Sequence, residues 1–311
     1  MRLLAVFLAS SCVQGSLGYT PAAPGSEVAH RTAPDRRSFL TSACALSTSV
    51  AVLNRPALAA DTATTQQRSS LEARSTDNIA TFPEYGMDGS DIFYPPWFLG
   101  SWKAVSTTKQ VFAPCGTDLF TGGKAAYDSV IETEVQKGDA LEYRARFIEQ
   151  LADGETSYVA ADREYNAREI AKAAMGGYSM VDVPVATPNQ FSCTLGGTEQ
   201  KSFVNVDITT LKRKAEVIDE RKFACSELVR QIVSQPGSRS NPNAPLAPLS
   251  AKDIETISIY EKVSDGRIEC SQRTATYLVP SQSDPIAFKK WQMSQGRAVD
   301  VRYYDVAYIK Q

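Results

Sequence analysis

Residues 94–107 read YPPWFLGSWKAVST. Pro95 and Pro96 lead into Trp97-Phe98-Leu99, Gly100 allows a sharp bend, and from Ser101 onward polar and apolar residues alternate. A period of two is the pattern of a strand with one buried face, so the stretch predicts a turn feeding a first strand over 101–113. Two indoles five residues apart, Trp97 and Trp102, stand at the mouth of that strand.

Downstream, the pattern repeats as hairpins. A strand is expected at 127–136, with Gly122-Gly123-Lys124 as a hairpin turn, and another at 140–151, where Leu141, Tyr143, Ala145 and Phe147 share a face. Asp153-Gly154 turns the chain into a strand at 156–161. A helix follows over 163–175, capped by Asp162 and stopped by Gly176-Gly177. Strands resume at 202–211 and 214–219, and 223–233 reads as strand or helix. Residues 234–250 form a Pro/Asn/Ser-rich loop. Asp265-Gly266 marks a hairpin within 255–279, residues 285–294 read as a short helix, and the last strand is 297–309. The fold class expected is mainly β: an antiparallel meander closing into a barrel, with one inserted helix.

The segment Phe98-Leu99-Gly100-Ser101-Trp102 resembles the opening of calycins, the lipocalin and fatty-acid-binding superfamily. That resemblance implies that Gly100 and Trp102 are a barrel signature, with Trp102 plugging the closed end. Fatty-acid-binding barrels also carry Arg-x-Tyr on the last strand, matched here by Arg302 and Tyr304. Those two share a face and are the candidate ligand-binding pair for a carboxylate. Arg302 packing over Trp102, as the closing Arg does in lipocalins, is the competing role, and Arg273 is its rival for that place. The folded part exceeds a simple calycin in length. It is more similar to a domain of unknown function of cyanobacteria and plastids, through PPWFLGSW, ADREYNAREIA and SQRTATYLVP. The resemblance covers residues 82–311 and implies a photosynthetic setting.

Residues 1–60 read as a tripartite presequence. MRLLAVFLASS has the form of a signal peptide, the next segment is Ser-, Ala- and Arg-rich like a transit peptide, and Arg36-Arg37 with Ser38-Phe39-Leu40 resembles a twin-arginine export motif. The expected destination is the thylakoid lumen of a secondary plastid. Residues 61–81 are expected to be a disordered linker and 82–311 a single barrel domain. Five of the 33 bases and two of the 35 acids lie in the first 60 residues, leaving 28 bases against 33 acids, a net charge of −5. No apolar run after residue 60 is long enough to span a membrane, and the acidic balance argues against nucleic acid.

The single histidine is His30. Beyond the presequence, a Ser-His-Asp triad, a Cys-His pair and His-ligated metals are therefore excluded within one chain. No metal site is expected. Cys115, Cys193, Cys225 and Cys270 are candidates for up to two disulfides in an oxidising lumen, with Cys193–Cys225 the favoured pair. The charged stretch 210–222 reads as a solvated face, and Asp162-Arg163-Glu164 as a cap with an exposed Arg–Glu pair. No cofactor is expected beyond a bound lipid or pigment. Three readings of function follow: a non-catalytic binder of a small hydrophobic molecule such as a pigment, lipid or fatty acid; a photosystem assembly or auxiliary protein; and a His-independent barrel enzyme. Lumenal xanthophyll de-epoxidases and bilin lyases show, by resemblance, that the last is chemically open. The first requires a cavity, the second a packed interior, the third facing carboxylates.

Overall fold

The structure is a computed structural model that describes residues 68–152, 156–175, 178–197, 203–234, 250–281 and 284–311. The expected presequence with Arg36 and Arg37, residues 61–67 and residues 235–249 of the expected loop lie outside the described residues, as do the expected turn at Asp153-Gly154 and stop at Gly176-Gly177.

Ten antiparallel strands form one curled sheet. They are β1 (Gly100–Phe112), β2 (Ala140–Ala152), β3 (Thr156–Ala161), β4 (Tyr178–Ala186), β5 (Gln190–Gly197), β6 (Phe203–Val217), β7 (Lys222–Ser234), β8 (Ser250–Ser264), β9 (Arg267–Leu278) and β10 (Asp300–Lys310). Their order is β3-β2-β1-β10-β9-β8-β7-β6-β5-β4, so every neighbour is consecutive in sequence except β1 and β10. A β3–β4 ladder would close a ten-stranded up-and-down barrel. Among the described residues none forms, and the sheet is a half-barrel with β3 and β4 as its edges. The helix linking them, α3 (Arg163–Ala174), packs on β2 and β4.

The chain is mainly β, as its alternation predicts, and among the described residues four α-helices accompany the sheet, where two were expected, at 163–175 and 285–294. α1 (Ser70–Thr76) lies in the stretch expected to be an unstructured linker. Ser69 and Glu72 form a reciprocal capping box, and Leu71 is buried on the outer face against Ala224 and Ile257. Residues 68–81 are thus packed into the domain. The strand expected at 127–136 is instead α2 (Gly123–Val130) followed by a π-helical turn at Ile131–Gln136, and Gly122-Gly123 opens the helix rather than a hairpin. Gly122 adopts φ 85°, a left-handed conformation that suits glycine. The last helix, α4 (Pro285–Ser294), falls where expected, capped by Asp284.

The ambiguous stretch 223–233 is a strand, and 203–217 is one strand with a bulge between Thr210 and Lys212 rather than two. β4 and β5 were not legible. β4 carries Pro184, which only an edge strand accommodates, and β5 runs into Gly196-Gly197.

The main core fills the concave face at the Trp102 end. Phe98, Trp102, Phe147, Phe223, Tyr260 and Tyr308 are packed there, with ring centroids of neighbouring pairs 4.7–6.3 Å apart. Such contacts are worth about 0.5–1.5 kcal/mol per pair beyond area burial. Gly100 takes φ 118°, the bend that aims Trp102 inward.

The outer face is fastened by a charged hub. The fully buried Glu255 carboxylate accepts from Arg74 Nε at 2.7 Å, from Tyr85 at 3.0 Å and from the equally buried Arg273. Arg74 and Tyr85 come from the lead-in segment, so the hub holds residues 74–85 against β8 and β9.

Candidate functional site

The concave face holds a cavity of about 110 Å³ under α3. α3 begins where Asp162 accepts a hydrogen bond from the Tyr165 N–H at 3.1 Å, an N-cap that satisfies one orphan donor. It turns Asn166, Ala167, Ile170 and Ala171 toward the sheet, the i, i+4 spacing of one helical face. The alanines are too small to fill the gap. Phe191, Ile208 and Val229 from β5, β6 and β7 form the opposite apolar wall.

The rim is charged and internally matched. Arg163 forms an ion pair with the buried Asp91, with one bond of 2.9 Å, and not the expected pair with Glu164, which bridges Arg168 at 2.9 Å instead. Burial works against the Arg163 cation, but the hydrogen bond and charge of Asp91 overcome this and raise its pKa. Arg213 is fully buried, contrary to the solvated face expected for 210–222. Its guanidinium meets Glu227 at 2.9 Å and donates to the carbonyls of Ser90 at 2.7 Å and Pro188 at 2.5 Å. It thereby pins the lead-in segment and the β4–β5 turn at the cavity edge. Glu227, about one-fifth exposed, is the one carboxylate among the lining residues. Two facing carboxylates, the arrangement a His-free acid–base enzyme would need, do not line this cavity.

The expected ligand pair lies elsewhere. Arg302 does point inward from β10, yet its guanidinium grips the chain's own Asp300 with two bonds of 2.9 Å. Glu134 approaches to 3.7 Å, and Phe120 lies 5.3 Å from the guanidinium carbon. Burial lowers the Arg302 pKa but is outweighed by the Asp300 charge, so the cation is held firmly. Tyr304 is buried in the aromatic core opposite Thr108 and Gln272. Neither residue lines the cavity under α3.

Nor does either arginine cover Trp102. Its indole donates to the Phe98 carbonyl at 2.7 Å, and the cation over its ring is Lys310 Nζ, at 5.5 Å. Trp97 stacks on Phe98 at 4.3 Å, so one indole meets the Phe98 ring and the other its carbonyl.

The four cysteines are thiols, so the expected disulfides are not made. Cys193 sits in the core under α3, whereas Cys225 and Cys270 sit in the aromatic core, two and four strands away. Burial pushes the Cys225 thiol up to about 12 and Cys270 higher still. Cys115 lies near α4, 3.5 Å from the Ala298 carbonyl.

Three participants escaped the sequence reading. Glu227 and Lys252 occupy inward positions on strands, and a charge in phase with Cys225 and Val229 on β7 is the signal that could have shown the first. Burial drops the Lys252 pKa to about 8, partly countered by Asp300. Asp91 lies in an irregular lead-in where no periodicity applies. Among the described residues no group of three His, Cys, Asp or Glu side chains could hold a metal, and no helix is long and apolar enough to cross a membrane.

No curated protein and no solved structure matches the chain. The model of one family, a domain of unknown function, DUF6816, matches residues 86–310, from the lead-in to the penultimate residue of the chain. That span takes in all ten strands, the cavity and the Arg302–Asp300 pair, and the chain belongs to the DUF6816 family.

Proposed function

We propose that this domain is a non-catalytic binder of one small, mainly apolar molecule in the cavity under α3, working in the thylakoid lumen. The observation that carries the reading is the cavity itself, an apolar chamber between α3 and β5–β7 with a single carboxylate, Glu227, at its rim. Apolar cavities of ~150 Å³ hold benzene-sized guests, so about 110 Å³ suits one ring or the end of an acyl or isoprenoid chain, with the remainder outside. Glu227 and Arg163 at the rim are each already paired within the chain, so a guest with a neutral polar end such as a hydroxyl is favoured over a charged one. The presequence features support the lumenal setting.

Native mass spectrometry with an absorption spectrum on protein isolated from its source tests this. An added mass released on denaturation is expected, and Ala167→Phe, which fills the chamber, should remove it while the fold persists. A clean unliganded mass for the natural protein would overturn the proposal.

A further inference from the structure

α4 is oriented opposite to an ordinary surface helix. In a ten-residue helix only Ser294 is buried, while Ala287 and Trp291, on the same face, are half-buried against the domain. The face turned to water carries Ile286, 70% exposed, and Met293, 58% exposed, at i and i+7, with Lys289 and Lys290 between them. Phe288, 37% exposed, lies at its side with its ring 5.6 Å from that of Trp291. An amphipathic helix normally turns its apolar stripe inward. Here the inward positions are held by Ala287, Trp291 and Ser294, and Ile286 and Met293 point out.

Charge sets the occupant. Residues 285–297 contain Lys289, Lys290 and Arg297 and no acid, in a chain whose formal net charge is −2. Exposed apolar side chains flanking lysines on one face suit a bilayer interface, where alkyl groups enter the headgroup boundary and cations meet anionic lipid. The helix is tied to the loop after β1 at one end. Its C-terminal end is fixed by Arg297 donating to the Pro114 carbonyl at 3.4 Å and by Cys115 beneath the Ser294 and Ala298 carbonyls. A second copy of the chain fits poorly, since an isologous contact would set Lys289 and Lys290 against themselves.

We propose that α4 is a membrane-docking element that seats the domain on an anionic lipid surface, Ile286 and Met293 inserting and Lys289 and Lys290 pairing with headgroups. The test is sedimentation of the full-length protein with vesicles of phosphatidylcholine alone or with about one-third phosphatidylglycerol, read together with tryptophan emission. Binding is expected on the anionic vesicles, with a blue shift of the added indole in a variant carrying Met293→Trp on the outward face. Ile286→Asp/Met293→Asp and Lys289→Glu/Lys290→Glu should each lower the partition coefficient about tenfold or more, with circular dichroism and melting unchanged because these side chains are exposed. Binding that survives both double substitutions, equal binding to neutral vesicles, or no binding at all overturns the proposal, the last in favour of an acidic protein partner.

Discussion

The two ends of the concave face solve burial in opposite ways. At the Trp102 end the side chains are rings packed on rings, and each has several substitutes for any one neighbour. At the Arg302 end the interior is polar: Asp300, Arg302 and Lys252 are buried among Thr256, Thr274 and Thr276. There each charge depends on a particular partner, since an isolated buried ion is costly. The aromatic end is tolerant by redundancy, and the polar end is specific because it has none. A sequence motif found at each end, Gly-x-Trp and Arg-x-Tyr, therefore carries different information. The first reports packing. The second reports an internal ion pair that a ligand carboxylate would have to displace.

The sharpest way to break this contrast is at Arg302. Arg302→Ala leaves Asp300 buried without its bidentate partner, and a loss of about 3–5 kcal/mol in unfolding free energy is expected by denaturant titration. Replacing both members, Asp300→Leu with Arg302→Met, should recover most of that loss, because a well-packed apolar pair avoids desolvation. If the single substitution costs under ~1 kcal/mol, the polar end is as tolerant as the aromatic one and the contrast fails.

Lys252 sharpens the same end through pH. Its pKa falls from 10.5 unfolded to about 8 folded because burial disfavours the cation. The unfolded chain then binds more protons between these values, so this group's contribution is most unfavourable below pH 8 and improves as pH rises. Between pH 7 and 9 the stability of the natural protein should gain about 1 kcal/mol relative to Lys252→Met, which removes the titration at similar volume. Cys225 and Cys270, whose folded pKa values are raised, act oppositely above pH 9, which confines the window to its lower half. A difference between the two proteins that stays flat from pH 7 to 9 would show that Lys252 keeps its charge.

The thiols give a smaller effect at the aromatic end. With Cys225 and Cys270 buried and their pKa values pushed up, only Cys115 among the four should react with an aromatic disulfide reagent at pH 8 within minutes. Labelling of Cys225 at a matching rate, read by peptide mass spectrometry, would mean that the aromatic core opens readily.

What the sequence disclosed follows the same division. β1 and β2 were legible because apolar residues alternate on a single buried face, and the β8–β9 hairpin, buried on both faces, because Asp265-Gly266 fixes its turn. α2 was not, because it is only two turns long and buries no residue, and Val130, Ile131 and Val135 imitate a strand. Arg213 looked solvated because it stands among Lys212, Lys214 and Glu216, and only the bulge at Leu211 changes the phase that turns it inward. The cavity was least legible of all. It arises from the meeting of α3 with three strands from distant sequence, and from the small size of Ala167, which no local pattern marks.

The finest test of the contrast is the cation above Trp102. Lys310 lies 5.5 Å from the indole and, on an exposed strand end, should contribute about 0.5–1 kcal/mol. Single substitutions confuse this with lost packing, since Lys310 also lays its alkyl stem near Gly100, 3.7 Å from where a Cβ there would sit. A double-mutant cycle of Lys310→Met with Trp102→Phe isolates the coupling. Methionine keeps the stem and phenylalanine keeps a ring while losing the bond to the Phe98 carbonyl. A coupling near 0.5 kcal/mol fits an end held mainly by redundant packing. A coupling above ~2 kcal/mol would make Lys310 as indispensable to the aromatic end as Arg302 is to the polar one, and the two ends would then differ in composition but not in principle.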